Sequence, residues 1–267
     1  MTREESIMKR VREHYDAALE YFPEDKIVGV FLQGSQNYGL DYESSDVDTK
    51  LITVPSFREI CLNKKPVSTT HVRANDEHTD WKDVRLYMET FRKQNLNFLE
   101  ILFTDFRIVN PLYQEQWDRL VAMREDIARM NEYRAVKSMK GIALEKYHAM
   151  EHEYPSKVEV LARWGYDPKQ LHHLLRVEEY LKRYIAGEEY HKCLNPINPE
   201  YLIDVKRGIY DLAEARKIAD AAKTNVEKIA DEFCADREDS EVVWCRELLE
   251  DVAYNIVRIA AEQEFKV

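Results

Sequence analysis

Two aspartates one residue apart, Asp46 and Asp48, are the side chains of this sequence best suited to chemistry. If residues 46–52 form a strand, period-two alternation places both carboxylates on one face and Val47 on the other. Two adjacent carboxylates repel each other unless a cation lies between them. Hard divalent cations prefer such oxygen ligands. The spacing therefore predicts a divalent-metal site, and the alternative is a hairpin loop whose aspartates only face solvent.

A turn that contains glycine precedes the two aspartates. The apolar run over residues 27–32 predicts a buried strand. Gly34 and Ser35 follow this run, and Gly39 comes soon after. Glycine allows the backbone to turn tightly and to bring its N–H groups close to an anion. We therefore expect Gly34 and Ser35 to form an anion-binding turn beside the aspartates.

The string from Gly34 to Asp48 contains Gly-Ser, a later glycine and Ser-Asp-x-Asp, and it resembles the DNA polymerase β nucleotidyltransferase superfamily. Within it, the chain is similar to the predicted nucleotidyltransferases associated with RNA repair. Thr49-Lys50 departs from the pattern, because an Arg-Gly pair is expected after the second aspartate. The resemblance implies transfer of a nucleoside monophosphate from an NTP such as ATP to an acceptor hydroxyl, with pyrophosphate release and with Gly34 and Ser35 as nucleotide-binding residues. It implies Mg²⁺, or Mn²⁺ as an alternative, and RNA as a candidate acceptor.

The resemblance also implies a third carboxylate on a following strand, and two aspartates compete for this role. If Val84 and Leu86 face the core, Asp83 has the opposite parity and shares the open face with the first two carboxylates. Asp80 has the parity of the apolar residues and would need a bulge to reach that face. We therefore expect Asp83 to complete a two-metal site and to act as general base. The other interpretation is that both are solvated charges.

A predicted helix over residues 167–186 carries a basic face. Lys169, His173 and Arg176 recur at i, i+4 and i+7, which places them on one side of the helix. Such a face can bind a triphosphate or the phosphates of RNA. The pattern Lys-x-x-x-His-x-x-Arg also resembles a motif of the family's C-terminal domain. We expect these residues to bind the nucleotide, and the alternative is a solvated basic face.

The composition is that of an ordinary soluble globular protein. The 267 residues are 45% hydrophobic and 33% charged, and the formal net charge of −11 argues against a surface coated with phosphate-binding groups. The four cysteines form no C-x-x-C pair, so we expect reduced thiols in a cytoplasmic protein. No apolar run approaches membrane-spanning length, so no membrane partner is expected. The preferred NTP and the oligomeric state stay open.

The order of predicted elements indicates an α+β fold. A first helix ends near Pro23, strands follow at 27–32 and 46–52, and residues 63–77 are predicted to be a loop. A strand near residue 78 then leads into helix up to residue 103, where Glu100 is interpreted as a helix-surface carboxylate. Later segments are all helical, at about 111–124, 126–153, 156–164, 167–186, 199–206, 211–234 and 239–263.

This order predicts two domains. We expect a nucleotidyltransferase catalytic domain with a mixed sheet over residues 1–110 and a helical domain over residues 111–267. Two other functions stay open. The chain could modify a protein or small molecule, which the net charge of −11 favours over a large RNA footprint. An inert nucleotide- or RNA-binding module would bind NTP without metal-dependent turnover.

Overall fold

A five-stranded mixed sheet is the central element of the first half of the chain. The computed structural model describes residues 1–42 and 45–266. The strands are β1 (Ile27–Gln33), β2 (Asp48–Thr53), β3 (Ser68–Val72), β4 (His78–Asp83) and β5 (Arg107–Val109). Their order in the sheet is β3-β4-β2-β1-β5. β2 and β4 are parallel, and the other neighbouring pairs are antiparallel.

The register of the sheet brings three strand ends to one edge. Gln33, the last residue of β1, lies opposite Asp48, the first residue of β2. On the other side of β2, Thr49 lies opposite Thr79 near the start of β4. Since the end of β1 and the starts of β2 and β4 lie at the same edge, residues that flank these positions are neighbours in space.

Helix α1 (Arg3–Ala18) covers one face of the sheet. It begins with a capping box between Thr2 and Glu5, as the Thr-x-x-Glu spacing predicts. Its apolar side is buried at Ile7, Val11, Tyr15 and Ala18. These side chains form one core with strand residues that include Val30, Leu32, Leu51 and Trp81. Removal of this apolar surface from water holds the helix against the sheet.

Further helices flank the sheet and make up most of the later chain. The first are α2 (Phe57–Cys61), α3 (Val84–Arg92), α4 (Leu96–Leu99), α5 (Gln114–Ala122) and α6 (Arg124–Ala128). They are followed by α7 (Glu132–Ala149), α8 (Val158–Trp164), α9 (Pro168–Ile185), α10 (Tyr190–Leu194), α11 (Pro199–Arg207), α12 (Leu212–Ala235) and α13 (Val243–Glu264). The predicted α+β class with a helical C-terminal region is confirmed. Within residues 1–42 and 45–266, no helix is both long enough and apolar enough to cross a membrane.

The described residues form two compact units. The first contains residues 1–37, 45–130 and 241–266, and therefore the whole sheet together with α13. The second contains residues 38–42 and 131–240, which are helical apart from the short first segment and the connections. These bounds differ from the predicted domains, 1–110 and 111–267. The division into those two domains stays a prediction.

Three local predictions were wrong. Residues 63–77 are not all loop, because β3 pairs with β4 inside this segment. The second strand begins at Asp48 and not at Asp46. The helix predicted up to residue 103 is interrupted after α3, where Gln94 adopts a left-handed backbone with φ of 54°. The sequence did not predict β3, because its residues are polar and mostly exposed and show no apolar alternation.

Candidate active site

The turn after β1 forms as predicted. Gly34 has a φ of +86°, a conformation that glycine adopts without the strain of a side chain. Ser35–Tyr38 then forms a single 3-10 turn. The N–H of Gly34 donates to Oε1 of Glu100 at 3.3 Å. Glu100 is only 8% exposed, so its interpretation as a helix-surface carboxylate was wrong.

Side-chain amides connect this turn to its surroundings. The amide of Asn37 donates to the carbonyl of Leu32 at 3.1 Å and accepts from the hydroxyl of Thr104 at 2.6 Å. The amide of Gln36 donates to the carbonyl of Asp46 at 3.3 Å. The turn that contains Ser35 is therefore linked directly to the first of the two aspartates.

The two aspartates differ in their local structure. Asp46 is exposed and precedes β2, so strand alternation does not determine its direction. Asp48 is half-buried at the first position of β2, and its Oδ1 accepts from the N–H of His78 at 2.9 Å. This bond orients the carboxylate of Asp48 at the edge of the sheet where the Gly34 turn begins.

The structure does not bring Asp83 to Asp48, and the predicted parity was wrong. Asp83 lies opposite Thr53, at the other end of the parallel pair. Its carboxylate accepts from the backbone N–H of Arg85 at 2.8 Å, as the N-cap of α3. It also accepts from the guanidinium of Arg85 at 2.9 and 2.7 Å. Val84 begins this helix, so strand parity does not apply to it.

Asp80 lies on the face of the sheet that Asp83 was expected to occupy. It is paired with Lys50 in the register, and Lys50 Nζ lies 3.3 Å from Asp80 Oδ2. Asp80 Oδ1 accepts from the hydroxyl of Thr70 at 2.7 Å. Lys50 is two residues after Asp48 and therefore on the same face of β2. Asp80 needs no bulge to reach this face, but its charge is compensated there by Lys50.

Lys50 and Lys82 form a cationic pair over one aromatic ring. Their Nζ atoms lie 4.3 and 4.0 Å from the ring centroid of Phe98, within the range of cation–π attraction. Burial lowers the pKa of Lys82 from its usual value, and the charge of Lys50 acts in the same direction. Sequence reasoning noted Lys50 only as a departure from a pattern and missed its position on the face of Asp48.

The described residues contain no ready-made site for two metal ions. Among residues 1–42 and 45–266, no group of three or more His, Cys, Asp or Glu side chains is arranged to hold a metal ion. Mg²⁺ at a nucleotide is held by one or two carboxylates together with substrate phosphates. Asp46 and Asp48 would be the two carboxylates of such a site for one ion. A second ion lacks its third carboxylate, because Asp83 is engaged elsewhere.

The predicted basic helix is present as α9, in the second unit. Lys169 is exposed in its first turn, and the guanidinium of Arg176 lies 3.9 Å from the ring centroid of Tyr38, which is buried. His173 is half-buried, and desolvation lowers its pKa well below the usual range. His173 is therefore neutral at neutral pH. Lys169 is the member of the three whose charge is most accessible to a ligand.

A second cation of the same unit contacts the segment that follows the Gly34 turn. Lys206 in α11 donates to the carbonyl of Leu40 at 3.3 Å, and its Nζ lies 4.5 Å from the ring centroid of Tyr42. Together with the contact of Arg176 on Tyr38, this places residues 38–42 against α9 and α11. This short segment between Ser35 and Asp46 is thus held by helices of its own unit.

Sequence reasoning also missed Glu77, which is fully buried directly before β4. Its carboxylate accepts from the N–H of Val47, the residue between the two aspartates, at 3.1 Å. The available signal was parity, because Glu77 has the same parity as the buried residues Thr79 and Trp81. An acidic residue that continues the buried side of a strand indicates a polar network.

No protein-family model matches the chain, and none of the curated proteins matches it. Among solved structures, the crystal structure of a nucleotidyltransferase-like protein from Exiguobacterium sibiricum 255-15 matches 84% of this chain and 74% of that chain. Its sequence identity is 11% and its TM-score is 0.28. A similarity at this TM-score does not establish a shared fold.

Proposed function

We propose that this protein is a metal-dependent nucleotidyltransferase that moves a nucleoside monophosphate from an NTP to an acceptor hydroxyl. The observation that carries the proposal is the pairing of Gln33 with Asp48. It places the Gly34–Ser35 turn and the Asp-x-Asp pair at one edge of the sheet. A turn for phosphates beside two carboxylates for a cation is the arrangement that nucleotidyl transfer needs.

Asp46 and Asp48 are the residues that would hold Mg²⁺ or Mn²⁺. When bound, this ion supplies positive charge that neutralises the NTP phosphates as negative charge develops on the leaving group. The Oδ1 of Asp48 is already oriented by the N–H of His78, so the carboxylate is preorganised for this role. We assign one ion to the site, since no third carboxylate of the described residues joins this pair.

The chain's own groups would orient the nucleotide. Ser35 is half-buried in the turn, and we assign its hydroxyl to the β and γ phosphates. The N–H of Gly34 is engaged by Glu100 and is therefore not assigned to the substrate. In the reaction, the acceptor oxygen bonds to the α-phosphorus, the α–β bridging P–O bond breaks, and pyrophosphate leaves. The acceptor proton passes to solvent.

The acceptor is best identified by a transfer assay. The protein would be incubated with each α-labelled NTP, Mg²⁺ or Mn²⁺, and separately with RNAs of defined ends, total cell protein and a small-molecule fraction. We propose RNA as the acceptor, so label is expected on an RNA end. Label on a protein or a small molecule instead would show that this molecule, and not RNA, is the acceptor. Binding of NTP without transfer to any fraction would contradict the enzymatic proposal.

A further inference from the structure

Glu77 is the most heavily engaged buried carboxylate near the candidate site. Its side chain has no exposed surface, although it is an acid. The groups around it are the N–H of Val47, the amide of Asn75, the imidazole of His14 and the guanidinium groups of Arg10 and Arg73. Burial of a carboxylate requires such partners, because an isolated buried charge is strongly unfavourable.

The two oxygens of Glu77 have separate partners. Oε1 accepts from the N–H of Val47 at 3.1 Å and contacts the guanidinium of Arg10. Oε2 lies 2.9 Å from Nε2 of His14 and accepts from the amide of Asn75 at 2.8 Å. Only a carboxylate satisfies this set, because both of its oxygens accept. A glutamine would direct its NH₂ group at one of the two sets of donors.

His14 links Glu77 to Thr49, the residue that follows Asp48. Burial lowers the pKa of His14 to about 4, and the charges of Arg73 and Arg10 act in the same direction. The imidazole is therefore neutral at neutral pH and bonds Glu77 through Nε2–H. Its Nδ1 is then an acceptor, and the hydroxyls of Thr49 and Thr79 lie 2.7 and 2.9 Å from it. Thr49 is the residue directly after Asp48.

Asp48 is thus restrained from three directions by one small network. The N–H of Val47 before it donates to Glu77, and the hydroxyl of Thr49 after it contacts Nδ1 of His14. Its own Oδ1 accepts from the N–H of His78, the residue next to Glu77. A buried ionic network adds little net stability compared with apolar packing. Its evident effect is to fix the position of the backbone around Asp48.

We propose that Glu77 is a positioning residue that orients Asp48, through Val47 and His14, for the divalent ion of the nucleotide. This role rests on the proposed function, since it requires that Asp48 bind the ion. Glu77 itself is buried and does not touch the substrate. Groups that orient metal ligands affect metal affinity more directly than they affect the chemical step at saturating metal.

The test compares Glu77→Gln with wild type and with Glu241→Gln. Glu241 is a matched control, because it is a mostly buried carboxylate of the same unit that pairs with Arg92 at 2.8 Å. Two properties are measured: hydrogen exchange of the Val47 amide without metal, and the Mn²⁺ concentration that gives half-maximal transfer from ATP. Thermal unfolding of all three proteins reports the purely structural effect.

We expect Glu77→Gln to speed exchange at Val47 and to raise the Mn²⁺ requirement about 10–100-fold, the usual range for a lost outer-shell partner. Saturating Mn²⁺ should restore the maximal rate, and Glu241→Gln should change neither property. Equal Mn²⁺ requirements in the two variants, or unchanged exchange at Val47, would overturn the proposal. If the wild type transfers no label, the proposed function fails, whereas the exchange measurement still reports on Glu77.

A second variant covers the case in which Glu77→Gln does not fold. Arg10 is partly exposed and contacts the same Oε1 that accepts from Val47, so Arg10→Gln leaves the carboxylate in place. We expect it to raise the Mn²⁺ requirement about threefold, below the range for loss of the partner itself. An unchanged Mn²⁺ requirement in a folded Arg10→Gln protein would count against the network as a positioning device.

Discussion

The two ends of the parallel β2–β4 pair use carboxylates in opposite ways. At one end, Asp48 is half-buried and oriented by a single N–H, with the Gly34 turn beside it. At the other end, Asp83 is buried, caps α3 and makes two bonds to the guanidinium of Arg85. We propose that the first carboxylate binds a ligand, whereas the second caps a helix and pairs with Arg85.

The difference arises from the element that comes directly after each residue. After Asp48 the strand continues, so the carboxylate stays at the sheet edge. After Asp83 a helix begins at once, and the free N–H groups of its first turn recruit the nearest acceptor. An aspartate directly before a helix is therefore a weaker candidate for catalysis than an aspartate that opens a strand.

The largest expected effect is that of Asp48→Asn. An amide replaces a charged oxygen ligand, so we expect transfer to fall at least about a hundredfold while the fold is retained. The rate is measured with labelled NTP, and circular dichroism checks the fold. Asp105→Asn is a suitable control, because the Asp105 side chain is 96% exposed. A wild-type transfer rate in Asp48→Asn would contradict the proposal that the carboxylate of Asp48, unlike that of Asp83, binds the ion.

Asp83→Ala should affect stability and not transfer. Loss of the cap and of the charged bonds to Arg85 should lower the free energy of unfolding by about 2–4 kcal/mol. The transfer rate per folded molecule should change less than it does in Asp80→Ala, since Asp80 shares the face of Lys50. Chemical denaturation and single-turnover rates measure the two quantities. A large loss of transfer rate with an unchanged free energy of unfolding would instead support a catalytic role for Asp83.

The network behind Asp48 predicts a loss of stability in acid. The pKa of His14 falls from 6.5 to about 4 on folding, so the unfolded chain binds the proton more readily. The free energy of unfolding is therefore unaffected by this histidine above pH 6.5. As the pH falls from 6.5 toward 4, protonation of the unfolded chain lowers the free energy of unfolding by about 3 kcal/mol in total. Denaturation at several pH values measures this slope. His14→Gln should reduce it, and an unchanged slope would place the acid sensitivity elsewhere.

The smallest expected effect concerns the basic face of α9. If Lys169 binds NTP phosphates, Lys169→Ala should raise the apparent NTP requirement by an amount that corresponds to about 1.5–3 kcal/mol. If the face binds RNA, acceptor binding should weaken and lose part of its salt dependence instead. NTP and acceptor are titrated separately. Wild-type values in both titrations would identify a solvated face.

Much of the fold was predictable because local signals agreed with the tertiary structure. The apolar run at 27–32 lies within β1, and the Thr2-Glu5 spacing marks the start of α1. Asp167 and Pro168 mark the start of α9 in the same way. These features depend on neighbours within one turn or one strand, which the sequence displays directly.

The arrangement of the site was less predictable, because it depends on residues far apart in the chain. The role of Glu77 requires His14 and Val47, which lie 63 and 30 residues away. The parity argument for Asp83 failed because β4 ends at Asp83 and α3 begins at Val84, so Val84 and Leu86 lie in a helix and not in the strand. A single shift in the end of a strand changes which carboxylate faces the site.

The most direct test of the central claim is binding of Mn²⁺ in the presence of a non-hydrolysable NTP analogue, monitored by electron paramagnetic resonance. We assign this ion to Asp46 and Asp48. Wild type should therefore bind the ion together with the analogue, and Asp46→Asn combined with Asp48→Asn should abolish the bound signal at the same concentrations. Asp83→Ala should retain it. An unchanged Mn²⁺ signal in the double variant would contradict the assignment.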